Sequence, residues 1–96
     1  MRADVVMDLE SHMISRGQKS VVLSRKEFAL LEYLMRNAGV VLTRHMMFEH
    51  VWDREADAFT NTVDVHIRFL RKKLDDGFKK KLITTVHGFG YRFEVK

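Results

Sequence analysis

Residues 60–74, "TNTVDVHIRFLRKKL", decide the fold. Val63, Ile67, Leu70 and Leu74 recur at i, i+4, i+7 and i+11, the apolar stripe of an α-helix that docks on a core. At about 100° per residue, Asn61, Val65, Arg68, Phe69 and Lys72 fall on the opposite side. A helix that only plugs a core has no use for an organised second face. Val65 beside Phe69 is also out of place on a face that meets only water. Thr60 or Asn61 is a suitable N-cap, so the helix is expected from there to Leu74.

The flanking sequence gives this helix its neighbours. Upstream, Ser24 and Glu27 form a capping box, in which a hydroxyl and a carboxylate each satisfy an orphan backbone donor. Phe28, Leu31, Leu34, Met35 and Ala38 then share a face, and Gly39 is the expected stop. "VVL", residues 40–42, reads as a short strand. Thr43 caps a second helix to about Trp52, with Met47, Phe48 and Val51 inward, and "DREADAF", residues 53–59, is a polar loop. Downstream, "DDGFKKK", residues 75–81, ends the third helix. "LITTVHGFGYRFEVK" then reads as a hairpin turning at Gly88-Phe89-Gly90, with Tyr91, Phe93 and Val95 alternating against Arg92, Glu94 and Lys96. Near the N-terminus, Val5–Leu9, His12–Arg16 and Val21–Leu23 read as antiparallel strands, with "RGQKS" turning around Gly17.

This order predicts an α+β fold. It is a winged helix-turn-helix with an N-terminal antiparallel sheet, three helices and a C-terminal β-hairpin wing, expected as one domain over residues 1–96. Bulk properties agree with one small domain of 96 residues, 46% of them apolar. The chain has no cysteine, which excludes a disulfide framework and a thiolate metal site. No apolar run reaches membrane-spanning length and no signal peptide is visible, so a cytoplasmic location is expected. The charge is uneven. Residues 1–60 carry 8 Lys/Arg against 9 Asp/Glu, a net of −1, while residues 61–96 carry 9 against 4, a net of +5. The positive field therefore surrounds the third helix, as a polyanion-binding surface requires.

The second face of that helix suits duplex DNA. An α-helix fits the major groove, with its N-terminal half nearest the base edges. Arg68 and Lys72 can reach phosphates or guanine, and Val65 and Phe69 can meet thymine methyls. The same Val65 and Phe69 would equally serve a protein-interaction winged helix, in which the basic charge is incidental. Other chemistry is absent from the pattern. His45 and His50 are five apart, the wrong offset for metal ligation from one helix face, and no HExxH occurs. "GFGY" lacks the lysine of a phosphate-binding loop, and the methionines suit core filling. No nucleophile–base pair and no paired carboxylates share a face, so an enzyme, a cofactor and a metal are not expected.

"LSRKEFALLEYLMRNAGVVLTR", "EHVW", "NTVDVHIRFLRKKL" and "ITTVHGFGY" resemble, in order and over nearly the whole chain, the winged-helix effector domain of OmpR/PhoB-type response regulators. The resemblance implies a four-stranded N-terminal sheet, a third helix in the major groove and a wing at the adjacent minor groove. It implies base contacts from Asn61, Val65, Phe69 and His87. It implies phosphate contacts from Arg44, Trp52, Thr62, His66, Arg68, Arg71, Lys72, Thr85 and Tyr91. The loop with Asp53, Arg54, Glu55 and Asp57 lies where the family meets RNA polymerase. The implied partners are double-stranded DNA with direct-repeat half-sites, RNA polymerase, and a receiver domain through which a histidine kinase acts. A receiver does not fit in this chain. A monomer in solution and a head-to-tail dimer on DNA are expected. Family members commonly have Arg where this chain has Asn61, Phe69 and His87, which leaves the site read undetermined.

Overall fold

The computed structural model describes residues 5–52 and 61–94. Three short strands come first: β1 (Val5–Asp8), β2 (Met13–Arg16) and β3 (Lys19–Val22), paired antiparallel in the order β1-β2-β3. The pairing of Arg16 with Lys19 leaves Gly17 and Gln18 as a two-residue turn, and Gly17 takes φ +61° there. That register pulls β3 two residues earlier than its apolar run suggests. The fourth strand implied by the family resemblance is not among the described residues.

Helix α1 (Arg25–Arg36) starts as expected. The Ser24 hydroxyl accepts from the Glu27 amide at 3.2 Å, and the Glu27 carboxylate accepts from the Ser24 amide at 3.0 Å. It ends two residues earlier than expected. Asn37 caps it, its side-chain amide donating to the Tyr33 carbonyl at 2.9 Å, and Ala38 and Gly39 form the turn. Phe28, Leu30, Leu31, Leu34 and Met35 are buried, because α1 packs against α2 (Arg44–Val51), α3 (Asn61–Leu74) and the wing. Before α2, the two residues Leu42–Thr43 form β4, and Thr43 Oγ1 caps the helix by accepting from the Met46 amide at 3.0 Å. In α3 the expected stripe is fully inside: Val63, Ile67, Leu70 and Leu74 are all buried.

The wing is β5 (Ile83–Val86) and β6 (Gly90–Phe93), joined by a turn at His87-Gly88-Phe89, one residue earlier than expected. It forms a three-stranded sheet in the order β4-β6-β5, with Leu42 opposite Tyr91 and Thr43 opposite Gly90. This pairing explains the second glycine of "GFGY". A Cβ at Gly90 would lie 2.0 Å from the Leu42 carbonyl oxygen, a distance no side chain tolerates. The start of α2 is therefore sewn to the wing by backbone.

A buried ion pair joins the two sheets across α3. Arg16 donates to Asp75 at 2.9 Å, to the Leu74 carbonyl at 2.9 Å and to the Lys80 carbonyl at 2.6 Å. Asp75 in turn accepts from the Leu82 and Ile83 amides at 3.0 and 3.3 Å. Among the described residues no helix is long and apolar enough to cross a membrane. Thr60, the loop with Asp53, Arg54, Glu55 and Asp57, and Val95 lie outside the described residues.

Candidate nucleic-acid interface

The outward row of α3 is exposed at Val65, Arg68, Phe69 and Lys72, as its spacing predicts. Val65 is 38% and Phe69 44% exposed, and Arg68 and Lys72 are exposed without an intramolecular ion pair among the described residues. Two free cations and two apolar side chains thus share one helical face, one turn apart. Asn61 opens the helix. Phe69 is not wholly free, since its ring meets His66 edge-on at 6.2 Å.

Around this row the remaining expected residues divide into two groups. The first is aromatic. Trp52 caps the C-terminus of α2 and is only 4% exposed, stacked on Phe48 and met edge-on by His66 at 5.0 Å. The Nζ of Lys26 lies 5.5 Å from the Trp52 ring centre, a cation–π arrangement. His66 Nδ1 is 2.9 Å from the Thr62 carbonyl oxygen, an acceptor only, so Nδ1 carries the proton. Nε2 of this ring can then donate only when the imidazole is cationic.

The second group is a hydrogen-bonded lattice between α2, α3 and the wing. The Tyr91 hydroxyl donates to Asp64 Oδ1 at 2.5 Å, and Arg44 Nε donates to the same oxygen at 2.8 Å. The Tyr91 ring lies beside two guanidiniums, Arg44 at 5.7 Å and Arg71 at 5.3 Å. Arg71 also donates to the Thr85 hydroxyl at 2.6 Å and to the Ile83 carbonyl at 3.2 Å. Burial and the Asp64 contact push the Tyr91 phenol above its ordinary value, so it is a neutral donor at neutral pH. The bond to Asp64 raises the Arg44 guanidinium further. Arg44, Arg71, Thr85 and Tyr91, which sequence reasoning treats as independent contacts, therefore hold one another. Thr85 accepts from Arg71 and keeps its own proton to donate.

His87 and Phe89 are exposed at the wing turn, where Gly88 adopts φ +85°. Between the C-terminal half of α3 and β5 runs a groove of about 560 Å³, lined by Arg68, Arg71, Lys72, Asp75, Asp76, Lys81 and Ile83. Lys81 is less available than its exposure suggests, since it donates to the Asp75 and Phe78 carbonyls at 3.1 and 2.9 Å. Among the described residues no group of His, Asp and Glu could hold a metal ion.

Sequence reasoning missed Asp64. It reads as an ordinary acidic residue in the first turn of a helix, favourable to the dipole. Its partners are 20 and 27 residues away, beyond any local period.

Comparisons with known proteins agree with this geometry. The model of a family described as "Transcriptional regulatory protein, C terminal" matches residues 17–93. The transcriptional regulatory protein CusR of Escherichia coli (strain K12) is 44% identical over 93 residues, covering 97% of this chain and 41% of CusR. The chain thus spans about two fifths of the length of this curated relative. Among solved structures, the DNA-binding domain of the response regulator AdeR, in complex with an intercistronic region, superposes with a TM-score of 0.85 at 25% identity, covering 100% of this chain and 99% of that one. The Klebsiella pneumoniae RstA DNA-binding domain, in complex with the RstA box, gives 0.83 at 29% identity, covering 100% and 96%. None of these matches favours the protein-docking reading of Val65 and Phe69.

Proposed function

We infer a detailed recognition mode for this chain, which belongs to the family of transcriptional regulatory protein C-terminal domains and is a winged-helix DNA-binding domain rather than an enzyme. The α3 helix lies in the major groove with Asn61, Val65 and Phe69 toward the bases. Arg68 and Lys72 meet phosphates, and Arg44, Arg71, Thr85 and Tyr91 form a preorganised backbone-binding ledge beside them. Thr62, Trp52 and His66 line the other flank, and His87 at the wing turn reaches the minor groove. The observation that carries this reading is the outward row of α3. Its inward residues are buried, while two apolar side chains and two cations without an ion pair among the described residues face out together beside a wing.

The parts beyond this domain follow as expectations. The effector is preceded in the full protein by a receiver domain controlled by a histidine kinase, and acts in the cytoplasm. Two copies bind head to tail on direct-repeat half-sites about one helical turn apart. The segment with Asp53, Arg54, Glu55 and Asp57 faces RNA polymerase. Selection from a random duplex library tests the core of this reading. A repeated consensus is expected, whose binding weakens when its thymines are replaced by uracil, which lacks the major-groove methyl. Enrichment of no sequence, or insensitivity to that replacement, would overturn it.

A further inference from the structure

Asp64 is the only carboxylate on α3, whose other fully charged side chains are Arg68, Arg71, Lys72 and Lys73. Its side chain is 39% exposed. An acceptor-only anion on a face that meets a polyanion costs affinity, so its placement calls for a compensating role. The geometry supplies one. A single oxygen of Asp64 accepts from Arg44 at the start of α2 and from Tyr91 on β6. Tyr91 lies against Arg71, which is bonded to Thr85 on β5. One carboxylate thus ties together the elements whose mutual angle sets how helix and wing meet a duplex.

We propose that Asp64 is a positioning residue for sequence recognition, fixing the recognition helix, the start of α2 and the wing in one relative placement through Arg44 and Tyr91 without itself touching DNA. The proposal rests on the DNA-binding reading above. A specific complex needs helix and wing in register with base edges at the same time, and a preformed arrangement avoids ordering them on binding. A non-specific complex makes only phosphate contacts and tolerates looser geometry. Loss of the carboxylate therefore weakens the first while removing a repulsive charge from both.

The test measures affinity of the chain for its selected consensus duplex and for a scrambled duplex of the same length, beside a melting curve. Asp64→Ala, which removes the accepting oxygen, is expected to lower the consensus-to-scrambled ratio on the order of tenfold, with scrambled binding unchanged or tighter. Tyr91→Phe, which keeps the charge and removes one bond, is expected to lower the ratio as well. The double variant should lose no more than Asp64→Ala alone, which already removes the bond to Tyr91. If Asp64→Ala tightens both duplexes equally, Asp64 is only a counter-charge and the proposal fails. If both affinities fall together in step with the folded fraction, its role is only structural and the proposal fails. Should Asp64→Ala not fold, Tyr91→Phe decides alone: an unchanged ratio overturns the proposal. If the wild type itself does not distinguish the two duplexes, the DNA-recognition reading fails instead.

Discussion

Phe69 is the residue at which the identity of the DNA site is most open to change. Its ring offers no hydrogen bond, is 44% exposed and rests one edge on His66. Phe69→Arg is expected to shift preference toward guanine at one position, since a bidentate pair discriminates by roughly 1–3 kcal/mol. A fall in melting temperature with no new base preference would show that packing on His66 is the ring's only role. His66 carries a second expectation. With Nδ1 committed to the Thr62 carbonyl, only Nε2 is left to face a phosphate. His66→Ala should weaken binding to all duplex sequences alike, and His87→Arg tests the wing histidine in the same assay. Affinity unaltered in His66→Ala would remove His66 from the phosphate contacts. At this scale the sequence discloses which side chains face out, because helical period alone places Val65, Arg68, Phe69 and Lys72. It does not disclose that Arg44, Arg71, Thr85 and Tyr91 are bound to one another, because a lattice closed across three elements has no period.

Between elements, two contacts set the helices and the wing in place. The capping carboxylate of Glu27 also accepts from Lys73 of α3 at 2.8 Å, so one buried group fastens the start of α1 to the recognition helix. Burial pulls its pKa up, but the bonds from Lys73 and Ser24 outweigh this and hold it below the ordinary carboxylate value. A depressed folded-state pKa gives stability that is present above the unfolded value, about 4.3, and lost as pH falls through the folded one. The wild type should therefore lose melting temperature between about pH 5 and 3 more steeply than Glu27→Gln. Equal acid slopes would deny Glu27 that role. Gly90 is the other contact. Gly90→Ala places a methyl against the Leu42 carbonyl, so β4 and β6 cannot keep their register. A loss of more than about 2 kcal/mol is expected by denaturant melting, and a loss under about 0.5 kcal/mol would show that the strands separate at little cost. Element type was legible from capping residues and periodicity, whereas the boundaries of β3, α1 and the wing turn were not. Those boundaries are set by partners: the Arg16–Lys19 pair, the Asn37 cap, and the Gly90 approach to Thr43 and Leu42.

Over the whole molecule, the N-terminal sheet and the reading half act as one body through the buried Arg16–Asp75 pair. Removing either partner would strand a charge at a cost of roughly 3–5 kcal/mol. The uneven charge lies on the side this frame holds rigid, and it is the property on which the account depends. DNA affinity that comes from phosphate neutralisation must fall with salt. About four to six phosphate contacts per domain give a slope of log K against log salt near −4 to −5. The decisive measurement is that slope for the wild type, Arg68→Ala and Lys72→Ala on duplex DNA. A steep wild-type slope is expected, flattened by about one unit in each variant at unchanged melting temperature. A slope near zero, or one that neither variant alters, would contradict the assignment of this face to DNA.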